Sequence, residues 1–297
     1  GHANPEITQA IIEQVQKGTA FTMATELEIE YAELLCERVP GFEKIRFMNS
    51  GTEAVMAALK AARAITGRSG IAKAEGTYHG TYDFAEISQN AAPHNWGDLE
   101  KPNSVPVARG TPAHVLNDVV IFPFNDTQRT LKLLDQSATE LACVLIDLVP
   151  QRAGLIPAHA EYIKAIREWT TRHNVLLIFD EVSCGWRMSV GGAQKKLGVT
   201  PDITAFAKAM SNGYPMGAVV GSIEAMEQAD RMFVSSSYWS DNIGLSASKA
   251  GIILSCHMIR SSLRQLSMVK WTSSAMADVP PESIIAPIIF VILSLVI

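Results

Sequence analysis

Lys208 is a residue whose position in the sequence suggests covalent chemistry. It follows the strand-like run 202–207 and precedes 211–217, where glycines stand on both sides of a proline. A lysine that leaves a buried strand can act as an amine nucleophile and form a Schiff base with a carbonyl compound. For this residue taken alone, a solvated surface lysine is the simpler interpretation.

Asp180 stands at the end of the apolar run 175–180 and is followed by Glu181 and Val182. A carboxylate at the end of a buried strand is costly unless it meets a cation. It could pair with a protonated ring nitrogen or a metal ion. The alternative is a carboxylate that forms a salt bridge or caps a helix.

The segment Asn49 to Glu53 lies between a predicted strand and a predicted helix. Ser50 and Glu53 have the spacing of a capping box, and Gly51 allows close approach to the backbone. Because a helix N-terminus offers free N–H groups and the positive end of a dipole, the segment could hold a phosphate. An ordinary helix cap is the alternative.

Tyr78 precedes His79 and Gly80, after a short apolar run and a Glu-Gly turn. Its ring could stack on a planar ligand or simply pack at the end of a strand. A phosphate cradle, a carboxylate for a ring nitrogen, a stacking aromatic and a Schiff-base lysine are together the parts that pyridoxal phosphate needs. Their combination favours that cofactor more than any one of them does.

The elements that must position these residues are predicted from the apolar pattern. The helices are predicted at 52–65 and 161–173, and the strands at 44–49, 71–74, 119–124, 143–149, 175–180 and 202–207. Continuous apolar strands separated by helices indicate a mostly parallel sheet covered on both faces, with ligands at the carboxyl ends of the strands. The Pro/Asn/Gly-rich segment 88–118 is predicted to be a lid, a binding loop or disordered.

Composition excludes several classes of function. The 297 residues carry 25 Lys and Arg against 30 Asp and Glu, a net charge of −5, which argues against nucleic acid as a partner. The four cysteines form no CxxC pair, so a reducing, cytoplasmic location is expected. The histidines show no metal spacing, so no metal site is predicted, and the hydrolase, zinc-protease, P-loop and dinucleotide motifs are absent from the sequence.

From Gly1 to about Gly251 the sequence resembles the class III pyridoxal-phosphate-dependent aminotransferases, and within them the group around glutamate-1-semialdehyde 2,1-aminomutase. The motifs that carry the resemblance are RFMNSGTEAVMAALKAAR at 46–63, GTYHGTYD at 76–83, FDEVSCGWR at 179–187 and GVTPDITAFAKAMSNGYPMGAVVG at 198–221. The resemblance implies an α/β fold of the PLP-dependent transferase type I, with a mainly seven-stranded, mostly parallel sheet and helices on both faces. It also implies a homodimer.

The family pattern assigns the phosphate of the cofactor to Ser50, Gly51 and Thr52. Ser237 stands where relatives usually have a threonine that reaches the phosphate across the dimer interface. A serine keeps that hydroxyl.

The same pattern assigns the cofactor ring to residues from three motifs. Tyr78 would stack on the ring with His79 beside it, and Val182 would pack on the other face. Asp180 would pair with the pyridine nitrogen. Lys208 would form the Schiff base and then move the proton, which makes Lys208 and Asp180 the expected catalytic residues.

The resemblance implies amino-group transfer by an aminotransferase or aminomutase, on glutamate-1-semialdehyde or a similar small amino-carbonyl substrate. Residues 102–126 resemble the gating loop and following strand of the aminomutase group, whereas 211–213 and Asp147-Leu148 depart from the usual pattern. The alternatives are a class III omega-amino acid or amino-sugar transaminase, or a truncated, non-catalytic protein of the same fold.

The two ends of the sequence differ from the family pattern. The family region is expected at 1–251, with an incomplete N-terminal segment and the large domain from about 40. The small C-terminal domain is expected to be missing, because 252–297 is divergent and reads as an artefact of the sequence. A membrane or partner-binding tail is the alternative, but the final apolar run is shorter than the ~20 residues of a bilayer span, so a membrane protein is not expected.

Overall fold

The computed structural model describes residues 2–39, 41–107, 109–189, 191–227, 232 and 234–254. Within these residues, seven strands form one sheet and two form a separate ribbon. The strands are β1 (Lys44–Met48), β2 (Gly70–Ala74), β3 (Gly97–Asp98), β4 (Lys101–Pro102), β5 (Val119–Phe122), β6 (Leu141–Asp147), β7 (Leu176–Asp180), β8 (Ile203–Ala207) and β9 (Gly217–Gly221). The helices are α1 (Pro5–Lys17), α2 (Glu26–Arg38), α3 (Gly51–Thr66), α4 (Asp83–Glu86), α5 (Thr127–Gln136), α6 (Ala160–His173), α7 (Ala193–Leu197), α8 (Ile223–Glu227) and α9 (242–254), with 3-10 turns at Ala113–Asp118 and Lys208–Ser211.

The large sheet has the strand order β1-β9-β8-β7-β6-β2-β5. The strands β5, β2, β6, β7 and β8 are parallel to their neighbours in this series, whereas β9 is antiparallel to both β8 and β1. All six predicted strands belong to this sheet, which confirms the α/β fold with a mostly parallel sheet. The sequence analysis did not predict β9.

Helices cover both faces of the central strands. On one face Ala58 of α3 belongs to a buried cluster with Leu145 and Ile178, and on the other Ile166 of α6 belongs to a cluster with Leu177. Successive residues of a strand point to opposite faces. Leu177 and Ile178 therefore both enter a core, which explains why the strand has no polar alternation.

The segment 88–118 contains the β3–β4 ribbon and the first 3-10 turn and is otherwise irregular. Ser88 joins the start of the segment to its middle, since its N–H donates to Val105 O at 2.7 Å and its hydroxyl donates to Asn103 O at 3.0 Å. Residues 88–105 therefore form a closed loop, and its start lies near the carboxyl end of β2, where Ser88 O accepts the Gly76 N–H at 2.9 Å.

Among the described residues, the structure has no helix long and apolar enough to cross a membrane. Helix α9 continues through Gly251 to residue 254. The rest of the divergent tail, including the final apolar run, lies outside the described residues.

Candidate active site

The polar residues predicted at the strand ends meet at the carboxyl edge of the sheet. A cavity of about 690 Å³ lies there, bordered by the segments that follow β1, β2, β7 and β8. It is lined by eight of the nine predicted site residues, Ser50, Gly51, Thr52, Tyr78, His79, Asp180, Val182 and Lys208. The sheet therefore brings together side chains that are far apart in the sequence.

The N-terminus of α3 forms one wall of this cavity. Ser50 is the N-cap and its Oγ accepts the Glu53 N–H at 3.2 Å, while Glu53 Oε2 accepts the Asn49 N–H at 2.9 Å. A Cβ on Gly51 would lie 2.9 Å from Val182 Cγ1, so only glycine fits without movement of its neighbour. The first N–H groups of a helix have no partner within the helix. Those of Gly51 and Thr52 are therefore suited to a phosphate.

Asp180 is a buried carboxylate at the inner side of the cavity, 4% exposed. Its Oδ2 lies 2.7 Å from His79 Nδ1, and its Oδ1 accepts the Val182 N–H at 3.0 Å. Burial lowers the pKa of His79, although the hydrogen bond and charge of Asp180 oppose that shift. A neutral imidazole leaves the carboxylate charge uncompensated, so the site fits a cationic group such as a protonated ring nitrogen.

Lys208 also lines the cavity, immediately after β8. Its Nζ donates to Ser183 Oγ at 2.8 Å, and its backbone has a φ of 49°, in the left-handed region. That conformation is uncommon for a residue with a side chain and often occurs at functional sites. The hydrogen bond to Ser183 holds the amine in place at the cavity.

Tyr78 and Val182 both border the cavity, and Tyr78 is 41% exposed, which leaves its ring accessible to a ligand. Ser237, in contrast, is not among the lining residues. It is an exposed residue next to Ser236, whose hydroxyl donates to Glu53 Oε1 at 2.9 Å. The Ser237 hydroxyl therefore lies on the surface near the N-terminus of α3.

Several buried ionisable residues around the site were not predicted from the sequence. Burial raises the pKa of Glu181 to about 7, and burial lowers the pKa of Lys73 to about 7. Glu181 accepts the N–H groups of Ala193 and Gln194, at the start of α7. The sequence did offer a signal for Lys73, because a lysine within a strand that is otherwise apolar and fully buried is unusual. For Glu181, the sequence gave no sign of its partner.

Ser183 was also missed as a functional residue. It follows Val182 by one position, within a motif already singled out, but a serine there has no distinctive chemistry until β7 and β8 are adjacent. Its contact with Lys208 depends on that pairing, in which Asp180 is the partner of Ala205.

Comparison with known proteins adds independent information. The family described as aminotransferase class-III matches residues 1–259. Glutamate-1-semialdehyde 2,1-aminomutase from Pyrobaculum arsenaticum is 38% identical over 227 residues, which are 76% of this chain and 52% of that protein. The chain thus spans about half the length of the curated relatives it matches.

Solved structures also resemble most of the chain. An omega-transaminase from Sphaerobacter thermophilus has a TM-score of 0.79 and 45% identity, covering 86% of this chain and 59% of that one. A transaminase with PLP bound has a TM-score of 0.77 and 40% identity, with the same two coverages of 86% and 59%.

Proposed function

Because the chain belongs to the class-III aminotransferase family, we propose that its cavity binds pyridoxal phosphate and that the protein transfers amino groups. The observation that carries this proposal is the convergence of the α3 N-terminus, Asp180 and Lys208 on one cavity. These three features supply an anion site, a carboxylate and an amine. One cofactor requires all three together.

The residues present fit each part of the cofactor. Ser50, Gly51 and Thr52 would hold the phosphate at the helix N-terminus. Asp180 would accept the N–H of the pyridine ring, and Tyr78 would stack on the ring. When bound, pyridoxal phosphate supplies a conjugated ring that accepts the electron pair left when a proton leaves the substrate carbon.

The chain's own residues then perform the proton transfers. The Lys208 amine would take the proton from the substrate carbon and return it to a second atom. Ser183 Oγ accepts from Lys208 Nζ and keeps the amine beside the cavity between these steps. Asp180 would keep the ring nitrogen of the cofactor protonated, because a buried carboxylate favours a cation beside it.

For the substrate, we propose glutamate-1-semialdehyde or a similar small amino-carbonyl compound. The aminomutase relative at 38% identity supports this choice. The omega-transaminase structure at 45% identity supports the second candidate, a transaminase acting on an omega-amino acid, and an amino-sugar transaminase is a further variant of it. A mutase needs one substrate, whereas a transaminase needs a separate carbonyl acceptor.

The cofactor assignment is tested by borohydride reduction of the full chain after addition of pyridoxal phosphate, followed by peptide mapping. We expect the label on Lys208 and its loss in Lys208→Ala. Lys196→Ala, at an exposed lysine of α7, is the matched control and should keep the label. A folded protein that is labelled elsewhere, or not at all, would contradict the proposal.

The substrate is tested in two assays, with protein in which the Lys208 labelling has shown that the cofactor binds. Glutamate-1-semialdehyde is supplied alone in one, and an omega-amino acid is supplied with a keto acid in the other. Turnover in the first assay supports the aminomutase. Turnover only in the second favours the transaminase, and turnover in neither supports a non-catalytic protein that still binds the cofactor.

A further inference from the structure

A chain of buried polar contacts runs from Lys73 to Asp180 behind the cavity wall. Lys73 Nζ donates to Thr77 O at 3.0 Å, Thr77 Oγ1 lies 2.9 Å from His79 Nε2, and His79 Nδ1 lies 2.7 Å from Asp180 Oδ2. Lys73 and Thr77 are fully buried, and His79 is 1% exposed. Buried polar groups that form a fully satisfied network hold one another in a single arrangement.

The Thr77 hydroxyl has one proton and two acceptors within reach. Ala74 O lies 2.6 Å from Thr77 Oγ1, and His79 Nε2 lies on its other side. If the hydroxyl donates to Ala74 O, His79 donates from both ring nitrogens and is a cation. If it donates to Nε2, the imidazole is neutral and donates from Nδ1 to Asp180. Both arrangements keep the His79–Asp180 hydrogen bond.

We propose that Thr77 is a positioning residue, whose hydroxyl holds the His79 imidazole against Asp180 in both protonation states of the ring. The proposal rests on the proposed function, in which Asp180 receives the ring nitrogen of the cofactor. The threonine suits this role because its branched Cβ restricts χ1 and fixes the direction of the oxygen. Without the hydroxyl, a neutral His79 would leave Nε2 buried and unpaired.

Lys73 supports Thr77 from the other side. Its ammonium donates to Thr77 O and to Ile87 O. It therefore links the backbone of Thr77 to the segment that contains Ile87. Glu75 is the acidic residue that acts on it electrostatically. A buried amine is costly to keep in a strand, and here it fixes the carbonyl of the residue that orients His79.

Thr77→Val tests the proposal, because it removes the hydroxyl and leaves the Thr77 carbonyl available to Lys73. Thr77→Ser is the matched control, since it keeps the hydroxyl. The readout is the ¹⁵N spectrum of histidine in the full chain without cofactor, where the chemical shifts of the two ring nitrogens report which of them carry protons. His79 is one of seven histidines and is assigned by the signal lost in His79→Gln.

We expect a protonated Nδ1 in the native chain and in Thr77→Ser. In Thr77→Val we expect Nδ1 to stay protonated towards Asp180, whereas the Nε2 signal should lose its hydrogen-bonded chemical shift because Nε2 no longer has a partner. Pyridoxal phosphate should also bind roughly tenfold more weakly to Thr77→Val, as expected when one buried polar group loses its partner. An unchanged His79 spectrum in Thr77→Val would overturn the proposal, as would the same loss in Thr77→Ser.

Thr77→Ala removes the same hydroxyl and replaces Thr77→Val if the latter does not fold. The spectrum of the cofactor-free chain also separates this proposal from the proposed function. If Lys208 is not labelled but the His79 spectrum changes in Thr77→Val as expected, cofactor binding alone is rejected. If Lys208 is labelled but the spectrum does not change, the role of Thr77 alone is rejected.

Discussion

Asp147 and Asp180 are direct Cα partners at the ends of two adjacent parallel strands. They are 5% and 4% exposed, so two buried carboxyl groups lie side by side near the cavity. Burial first, and then the charge of Asp180, raises the pKa of Asp147 to about 7. The register of β6 and β7 thus favours a protonated Asp147 next to the carboxylate proposed to meet the cofactor.

This pair predicts a pH-dependent effect of Asp147→Asn on stability. The pKa of Asp147 is 3.8 in the unfolded reference and about 7 in the folded chain, so the folded state binds more protons between these values. Its stabilising contribution is therefore lost as pH rises from about 4 to 7. Relative to the native chain, Asp147→Asn should gain about 1–3 kcal/mol in free energy of unfolding between pH 5 and pH 8. Urea denaturation at both pH values measures it, and an equal difference at the two would contradict the assignment.

For Lys73 the predicted pH dependence of stability has the opposite sign, and Lys73→Met tests it. The pKa of Lys73 is about 7 in the folded chain against 10.5 in the reference, so the unfolded state binds more protons between these values. The native chain should therefore gain stability from this group as pH rises from 7 towards 10, by about 1.4 kcal/mol per unit at most. Lys73→Met should lack that gain. Denaturation at pH 7 and 9 tests this, with Lys60→Met on the exposed side of α3 as control.

Gly51→Ala should weaken binding of pyridoxal phosphate while the chain stays folded. The new methyl group would lie 2.9 Å from Val182 Cγ1 and 3.4 Å from Ala207 Cβ. Overpacking of this kind costs about 1–3 kcal/mol of stability, and it is relieved only if Val182 or the start of α3 moves. Because such a movement displaces the N–H groups proposed to hold the phosphate, we expect binding to weaken roughly tenfold. Absorbance titration with the cofactor measures the loss. Adding Val182→Ala should recover part of it by restoring room, and no change in Gly51→Ala would show that the cofactor does not approach this backbone.

Ser237→Ala tests the proposed homodimer. The exposed Ser237 hydroxyl is proposed to reach the phosphate bound by a second copy, so its removal should weaken cofactor binding about tenfold. Ser235→Ala, at an exposed serine of the same segment, should have no effect. Titration is combined with light scattering, which gives the mass of the particle. A monomer with full affinity, or equal losses in the two variants, would argue against a shared site.

The fold was largely predictable because one pattern dominates it. The run that became β7 is apolar on both faces, and such runs indicate a covered parallel strand. The strand β9 was missed because glycines stand at both of its ends. Its end is fixed by tertiary contact, since a Cβ on Gly217 would lie 2.5 Å from Ser50 O.

The sequence singled out cavity residues whose type is chemically distinctive and missed those whose contact depends on a partner. Lys208 and Asp180 were singled out by type and by position at a strand end. Thr77 and Ser183 carry ordinary hydroxyls. Their contacts with His79 and Lys208 arise only because the carboxyl ends of β2, β7 and β8 meet at one edge of the sheet. No local pattern in the sequence encodes those pairings.

The pairing of β1 with β9 also sets an order of events during translation. Lys44 is the partner of Gly221, so the strand that leads into Ser50 finds its neighbour only after residue 221 has left the ribosome. Contacts between distant parts of a chain form late, whereas β2, β5 and β6 can assemble from nearer segments. A nascent chain halted before β9 would expose an unpaired edge strand, a target for chaperones and a source of aggregation. Competence to bind a ligand is therefore acquired late in synthesis.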